Sequence, residues 1–493
     1  MKFIDPAPTP DRPAAFGWRG LLLDVCRHWI PPAAIHRTID AMGLAGFNVL
    51  HLHLTDDQAH RVESRAWPRL HTVAEDGAFL TRSDVASIVE HAGELGIAVI
   101  PELDMPGHTT AWLAAYPHLA AAGTQPPTTV RHTIGIAEVA IDPEADTTFE
   151  FVGALIDEFV EYFPDYRLHL GGDEVHANAW PGRVVAEAQP AFTDRVVAMA
   201  LQRGRTPVVW DEAFHANLDR RVVVQVWRGH RRLWETAALG HPVVFSTPYY
   251  LDLSYAPIHL HVSPTATPTE WAAARTRLWS DPLLSRVAPL LMGGEQFLDM
   301  DRPEPPDSPD AETTARILGG EACMWTELCP EELLDLRLWP EAAAVAKVLR
   351  GDSGALDAWL DAFESDLLTV GIDLAAQRRA RFVELAGGDE ELADDLATLA
   401  RCCVRLGWYG QHTLRDDALH APYDRFVDAL STAPTVSASD PAVTEAANRL
   451  LDRPCDSTDD RLVQVRDVAQ QVLEGNEAIE VVGEVVIARR PPE

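Results

Sequence analysis

Two carboxylates stand side by side in LHLGGDEVH, residues 168–176, where Asp173 and Glu174 follow an apolar stretch and the pair Gly171-Gly172. Neighbouring side chains on a strand point to opposite faces, so these two share a site only where the pleat breaks, and two glycines permit that break. A solvated acidic loop needs neither the glycines nor the apolar run. Paired carboxylates suit cleavage of a glycosidic bond: one protonates the leaving oxygen, the other stabilises positive charge near the anomeric carbon. When the second group is a nucleophile, the two must flank the bond. Adjacent residues do not easily supply opposed groups. The spacing therefore suggests a nucleophile outside the protein, a role that a substrate 2-acetamido group could fill.

Aromatic residues form a second constellation: Trp210 in VVWDEA, Trp227 in QVWRG, Trp325 in EACMWTE and Tyr249-Tyr250 in PYYLD. Tryptophan faces stack on the C–H face of pyranose rings, and three of them can wall a small pocket. A polar set accompanies them: Arg27-His28, His51 and His53 with Asp56-Asp57, and His108 in PELDMPGH. Arg is a rigid fork for vicinal hydroxyls, and a His held by a carboxylate can tune an acid. Asp24 and Glu102 read equally well as structural carboxylates in a barrel mouth.

The elements that must position these groups are short apolar segments at 19–25, 47–54, 97–104, 166–172, 206–212, 222–227, 242–247 and 317–325. Amphipathic stretches such as SDVASIVEHAGELG and FVGALIDEFVEYF separate most of them. Near-continuous apolar strands alternating with helices indicate a parallel sheet covered on both faces, and eight such units predict an α/β fold, a TIM (β/α)8 barrel. The link between the fifth and sixth strands is short, so a helix there is reduced. Asp, Glu, His and Trp gather at the C-terminal ends of the strands, the rim where a barrel carries its active site. The expected organisation is an N-terminal arm at 1–15, a barrel at 16–350 and a helical C-terminal region at 351–493. The tail IEVVGEVVIARRPPE would add a strand or hairpin arm, and LDMDRPEPPDSPDAETT (298–314) reads as a surface loop.

Composition narrows the partners. Asp and Glu outnumber Lys and Arg by 75 to 41, giving a formal net charge of −34 that repels nucleic acid and anionic membrane. Only Lys2 and Lys347 represent lysine. Six cysteines lack any CxxC spacing and read as small buried hydrophobes. MKFIDPAPTPDRPAA has no long apolar run of the signal-peptide kind, and no stretch reaches membrane-spanning length, so a cytoplasmic protein is expected.

Taken together, RGLLLDVCRH, NVLHLHLTDDQ, PELDMPGHT, LHLGGDEVH, WDEA, YYLD and GGEACMWTE make residues 19–350 resemble glycoside hydrolase family 20, the β-N-acetylhexosaminidases. The resemblance implies an exo-acting enzyme that removes terminal N-acetylglucosamine or N-acetylgalactosamine with retention, through an oxazoline and without cofactor or metal. It implies that Glu174 is the general acid and base, that Asp173 orients the acetamido group, and that Tyr250 donates to its carbonyl. Trp210, Trp227 and Trp325 would wall the pocket, Arg27, Asp252 and Glu327 would hold hydroxyls, and Asp56 and His108 would support the acid. The preference for gluco or galacto sugars would turn on Arg27 and Glu327. One departure is local: the family usually continues the DDQ motif with Gly-Trp-Arg, where this chain has Ala59-His60-Arg61. No role can be read for the helical extension; packing against the barrel and a homodimer are equal expectations.

Two other readings compete. His51-x-His53 looks like a metal pair of a barrel hydrolase, which would need further His ligands and often a bridging Lys. A non-catalytic amino-sugar-binding protein is the second.

Overall fold

The computed structural model describes residues 15–488, apart from 75, 254–261, 282, 284, 286–309, 353–354, 409–410, 412–413, 415–418, 420–425, 431–433, 454–459, 475–478 and 483. Nearly all of the N-terminal arm, most of the 298–314 insertion and Cys455 lie outside the described residues.

Eight parallel strands close into a barrel: β1 (Trp18–Asp24), β2 (Val49–His53), β3 (Ala98–Glu102), β4 (Arg167–His169), β5 (Thr206–Trp210), β6 (Val223–Val226), β7 (Val243–Phe245) and β8 (Ile317–Met324), with β8 pairing back onto β1. All eight expected strands are present, trimmed at their ends. Helices Pro32–Ala45, Arg82–Glu94, Asp146–Tyr162, Val185–Gln202, His230–Ala238, Pro268–Ser280 and Glu341–Arg350 follow seven of them. No helix lies between β5 and β6, as the short link predicts. The helix starts are encoded locally. Thr81 and Asp84 form a reciprocal capping box before Arg82–Glu94, and Gly46 in the left-handed region ends Pro32–Ala45.

Register places the chemistry. Asp24 pairs with His53, His53 with Glu102 and Glu102 with His169, so four polar residues align at the strand ends. Positions two residues apart share a face. The floor of the barrel is an apolar layer of Trp18, Val49, Ile100, Val208, Val223 and Val244. Above it come His51, Gln225 and Glu321, and above those the cluster Leu22, Trp210, Cys323 and Trp325. Gly20 has a steric reason: a Cβ there would stand 2.2 Å from Glu321 Oε2.

The barrel core runs past the composition change at 351 to take in Phe363, Leu367, Ile372 and Leu374, and a second core begins at Phe382. Helices Leu356–Leu367, Leu374–Leu385, Glu390–Ala400, Pro441–Asp452 and Asp460–Glu474 form the C-terminal region. One expectation fails there. The stretch DEELADDLATLARCCVRLGW is helical in pattern, but its helix stops at Ala400 and β9 (Cys403–Arg405) follows. The tail supplies β10 (Ile479–Val482) and β11 (Val485–Ala488), and β11 pairs antiparallel with β9. Burying Val485, Val486 and Ile487 against β9 overrides the helical pattern. The cysteines at 26, 323, 329, 402 and 403 are buried and free. No helix among the described residues is long and apolar enough to cross a membrane.

Candidate active site

β4 ends at His169, and the chain turns through Gly171 (φ 63°) and Gly172 (φ 103°) to present Asp173 and Glu174. Both glycines are required. A Cβ on Gly171 would stand 1.8 Å from Asp104 Oδ1, and one on Gly172 would stand 2.6 Å from the Ala213 side chain. Asp104 Oδ1 accepts the Gly172 N–H at 3.1 Å. Glu174 itself sits at φ 48° and His108 at φ 52°, the two non-glycine residues with positive φ among those described. Such strain persists only where the surroundings hold it, and it is concentrated here beside the carboxylate pair.

His108 bridges the pair to the barrel interior. Its Nε2 lies 3.5 Å from Glu174 Oε2 and 3.8 Å from Asp173 Oδ2, while its Nδ1 meets Asp56 Oδ1 at 3.2 Å. Asp56 also receives His53 Nε2 at 2.7 Å and Arg27 Nη2 at 2.8 Å. Behind His53 stands Glu102, which accepts from His53 Nδ1 at 2.5 Å and from Trp210 Nε1 at 2.8 Å, with His169 Nδ1 and His51 Nε2 close by at 3.0 Å and 3.3 Å. His51 Nδ1 meets Glu321 Oε1 at 2.8 Å, and Glu321 also holds Trp18 and Gln225. A chain of alternating charge thus runs from the barrel floor to Glu174.

The alternation sets the protonation states. Burial works against charge on His51, but Glu321 and Glu102 raise it to about 9. Burial likewise opposes charge on His53 and His108, and the flanking carboxylates raise both well above the ordinary histidine range. Asp56 and Glu102 stay well below the usual carboxylate range against their burial, Asp56 through Arg27 and His108, Glu102 through His169 and His53. Asp173 behaves oppositely. Burial lifts it to about 6, with His108 opposing and the charges of Glu102 and Glu174 adding.

The aromatic residues converge on one pocket. Trp210 and Trp325 have ring centroids 5.9 Å apart, Trp227 and Tyr250 stack at 6.2 Å, and Tyr250 lies 6.3 Å from Trp325. Trp210 is almost wholly buried and forms the floor; Trp227 and Tyr250 are half-buried. Burial pushes the Tyr250 hydroxyl well up, so it remains a donor. Arg27 lies over Trp325 at 4.9 Å and is pinned between Asp24 and Asp56. Burial raises Asp252, and the nearby Glu327 raises it further; burial also raises Glu327, against the pull of Arg27.

The candidates named from the sequence gather at this rim or directly beneath it, except Tyr249, which is buried in the main core with its hydroxyl on the Val262 carbonyl and its ring against Phe245. Asp56, expected to support the acid, is 1% exposed and bonded to other side chains, so it reaches Glu174 only through His108. Asp24 and Glu102 are structural carboxylates, fully satisfied. Ala59-His60-Arg61 is internal: His60 accepts from Trp112 Nε1 at 3.2 Å, and Arg61 donates to the carbonyls of Val25 and Cys26. The sequence reading gave no role to Asp104, Glu212, His169 or Glu321. Asp104 and Glu212 each stand two residues past the end of a strand, β3 and β5, and that position is the available signal. The His51-x-His53 pair does not fit a metal ion. Three of the four ring nitrogens are already hydrogen-bonded to carboxylates, His51 Nδ1 to Glu321, His53 Nδ1 to Glu102 and His53 Nε2 to Asp56, so the pair is committed to side-chain partners rather than held open for an ion.

The closed barrel thus carries at its rim an adjacent carboxylate pair on a strained turn beside an aromatic pocket. Residues 16–349 match the family described as glycosyl hydrolase family 20, catalytic domain, and the chain belongs to that family. It is similar to the human beta-hexosaminidase subunit beta, 31% identical over 359 residues, which cover 68% of this chain and 56% of the relative. The Entamoeba histolytica beta-hexosaminidase subunit beta is 30% identical over 354 residues, 67% of this chain and 58% of its own length. The chain thus spans less than three-fifths of these relatives. Among solved structures, the Flavobacterium johnsoniae chitobiase shares the fold with a TM-score of 0.77 and 24% identity, over 94% of this chain and 71% of its own. The Streptomyces plicatus N-acetyl-beta-hexosaminidase is 27% identical with a TM-score of 0.57, over 73% and 70% of the two chains.

Proposed function

We propose that the protein is an exo-acting β-N-acetylhexosaminidase that hydrolyses terminal N-acetylglucosamine or N-acetylgalactosamine with retention, the substrate's own acetamido oxygen serving as nucleophile. The observation that carries this reading is the placement of Asp173 and Glu174 on one strained turn beside the aromatic pocket. Asp252 and Glu327 are also drawn to the pocket, but both are raised by burial, which suits them to bind hydroxyls rather than to attack as anions.

Glu174 protonates the glycosidic oxygen while the acetamido carbonyl oxygen bonds to C1 and the C1–O bond breaks. Asp173 accepts the acetamido N–H and offsets the positive charge of the oxazolinium. Tyr250 donates to the carbonyl oxygen, and Trp210, Trp227 and Trp325 enclose the acetyl group. The Glu174 carboxylate then takes a proton from water as that water attacks C1 and the ring opens. Substrate assistance is a known departure of this family from the two-carboxylate retaining scheme. Arg27, Asp252 and Glu327 bind the sugar hydroxyls.

The test is a panel of nitrophenyl β-glycosides with and without the 2-acetamido group and with both O4 epimers. Only acetamido sugars should turn over, and a thiazoline analogue should inhibit tightly because it mimics the cyclised intermediate. Glu174→Gln should lower turnover of substrates with poor leaving groups by about 10²–10⁴. Equal turnover of sugars lacking the acetamido group would overturn the mechanism.

A further inference from the structure

β5 ends at Trp210, and the two carboxylates after it part company. Asp211 turns away from the pair and is held by Arg228 at 3.0 Å and Arg232 at 3.6 Å. Glu212 turns toward the catalytic turn, where its Oε2 accepts the backbone N–H of Glu174 at 3.1 Å. That bond falls on a residue held at φ 48°, a left-handed conformation that L side chains adopt only when held there. Two carboxylates thereby grip N–H groups of the turn, and Gln189 Nε2 holds the Gly172 carbonyl at 2.7 Å. Asp104, beyond β3, takes the Gly172 N–H, and Glu212, beyond β5, takes the Glu174 N–H, so Asp173 lies between the two bonds. The second Glu212 oxygen, Oε1, is buried without a hydrogen-bond partner among the described residues. Burial, and then the charge of Asp173, push Glu212 up to about 7. A proton on Oε1 leaves Oε2 as the acceptor and adds no negative charge beside Asp173.

We propose that Glu212 is a positioning residue for the proton donor: by accepting the Glu174 N–H it holds Glu174 in the left-handed conformation that aims its carboxyl at the leaving oxygen. This rests on the assignment of Glu174 as the general acid. Losing the grip should cost most where the leaving group needs a proton, and little where it leaves unaided. A sugar contact would raise KM on every substrate, and general damage to the pocket would slow every substrate alike.

The experiment compares Glu212→Ala, Glu212→Gln and Glu174→Gln with the wild type on N,N′-diacetylchitobiose and on 2,4-dinitrophenyl N-acetyl-β-glucosaminide, with thermal melts alongside. Glu212→Ala should lower kcat on the disaccharide by about 10²-fold and on the dinitrophenyl glycoside by no more than about three-fold, with KM little changed. Glu212→Gln should recover most of the loss, because the amide oxygen still accepts the N–H. Equal losses on both substrates, a loss confined to KM, no loss, or a Glu212→Gln variant as poor as Glu212→Ala would each overturn the proposal. If Glu174→Gln is harmless on the disaccharide, the acid assignment itself has failed. If Glu174→Gln is damaging and Glu212→Ala is not, only the role of Glu212 falls.

Discussion

Asp173 carries a proton balance that can be measured. Burial, opposed by His108 and reinforced by Glu102 and Glu174, raises it from the ordinary aspartate value of 3.8 to about 6. The folded state therefore binds this proton more tightly than the unfolded chain. The stability it contributes is fully present below about pH 4 and is lost as pH rises through about 6. Asparagine has no such proton. The melting temperature of the wild type relative to Asp173→Asn should therefore fall between about pH 4 and 7, read by calorimetry at unit steps. A flat difference would mean that Asp173 is not strained as an anion. For catalysis the ionised form is the useful one, so kcat/KM of the wild type should fall below about pH 6. At this scale the sequence was informative where types are rare and adjacent: the Asp-Glu pair and the three tryptophans stand out unaided. Glu212 did not, because nothing in WDEA distinguishes a carboxylate that faces Arg228 from one that faces a backbone N–H 38 residues upstream.

The elements that matter are a turn and a set of strand ends. Gly171→Ala puts a methyl group where Asp104 Oδ1 now stands and keeps a left-handed φ of 63°. The turn cannot hold both, so kcat should fall by about 10²-fold or more, since misplacement by an ångström is enough for that. Stability should drop by only about 1–3 kcal/mol, because the strain is local. Steady-state kinetics and a far-UV circular-dichroism melt test both parts, and a variant with near-native kcat would contradict the steric argument. All eight barrel strands were legible, because buried parallel strands are apolar runs ending in polar residues. β9 was not, since RCCVRL continues the helical spacing of the segment before it and its partner, β11, lies some eighty residues on. The charge chain inside the barrel was hidden for the same reason, for His51 and Glu321 are 270 residues apart.

At the scale of the whole molecule, the C-terminal region reaches the barrel mouth. Leu419 is fully buried against Ile134 and Leu328, with Trp408 packed beside them, and Leu328 follows Glu327. Leu419→Ala should loosen that neighbour of the sugar pocket and raise KM by about five-fold, equivalent to ~1 kcal/mol, with kcat largely kept. Michaelis–Menten analysis decides it, and an unchanged KM would confine the region to stability. The barrel interior has a wider consequence for anyone redesigning specificity. Trp210 is the floor of the pocket, yet its indole N–H also donates to Glu102, the hub from which His53, Asp56 and His108 lead to Glu174. Carving that floor to admit a bulkier acyl group would withdraw a donor from the hub, so substrate range and proton delivery would have to be re-engineered as one problem.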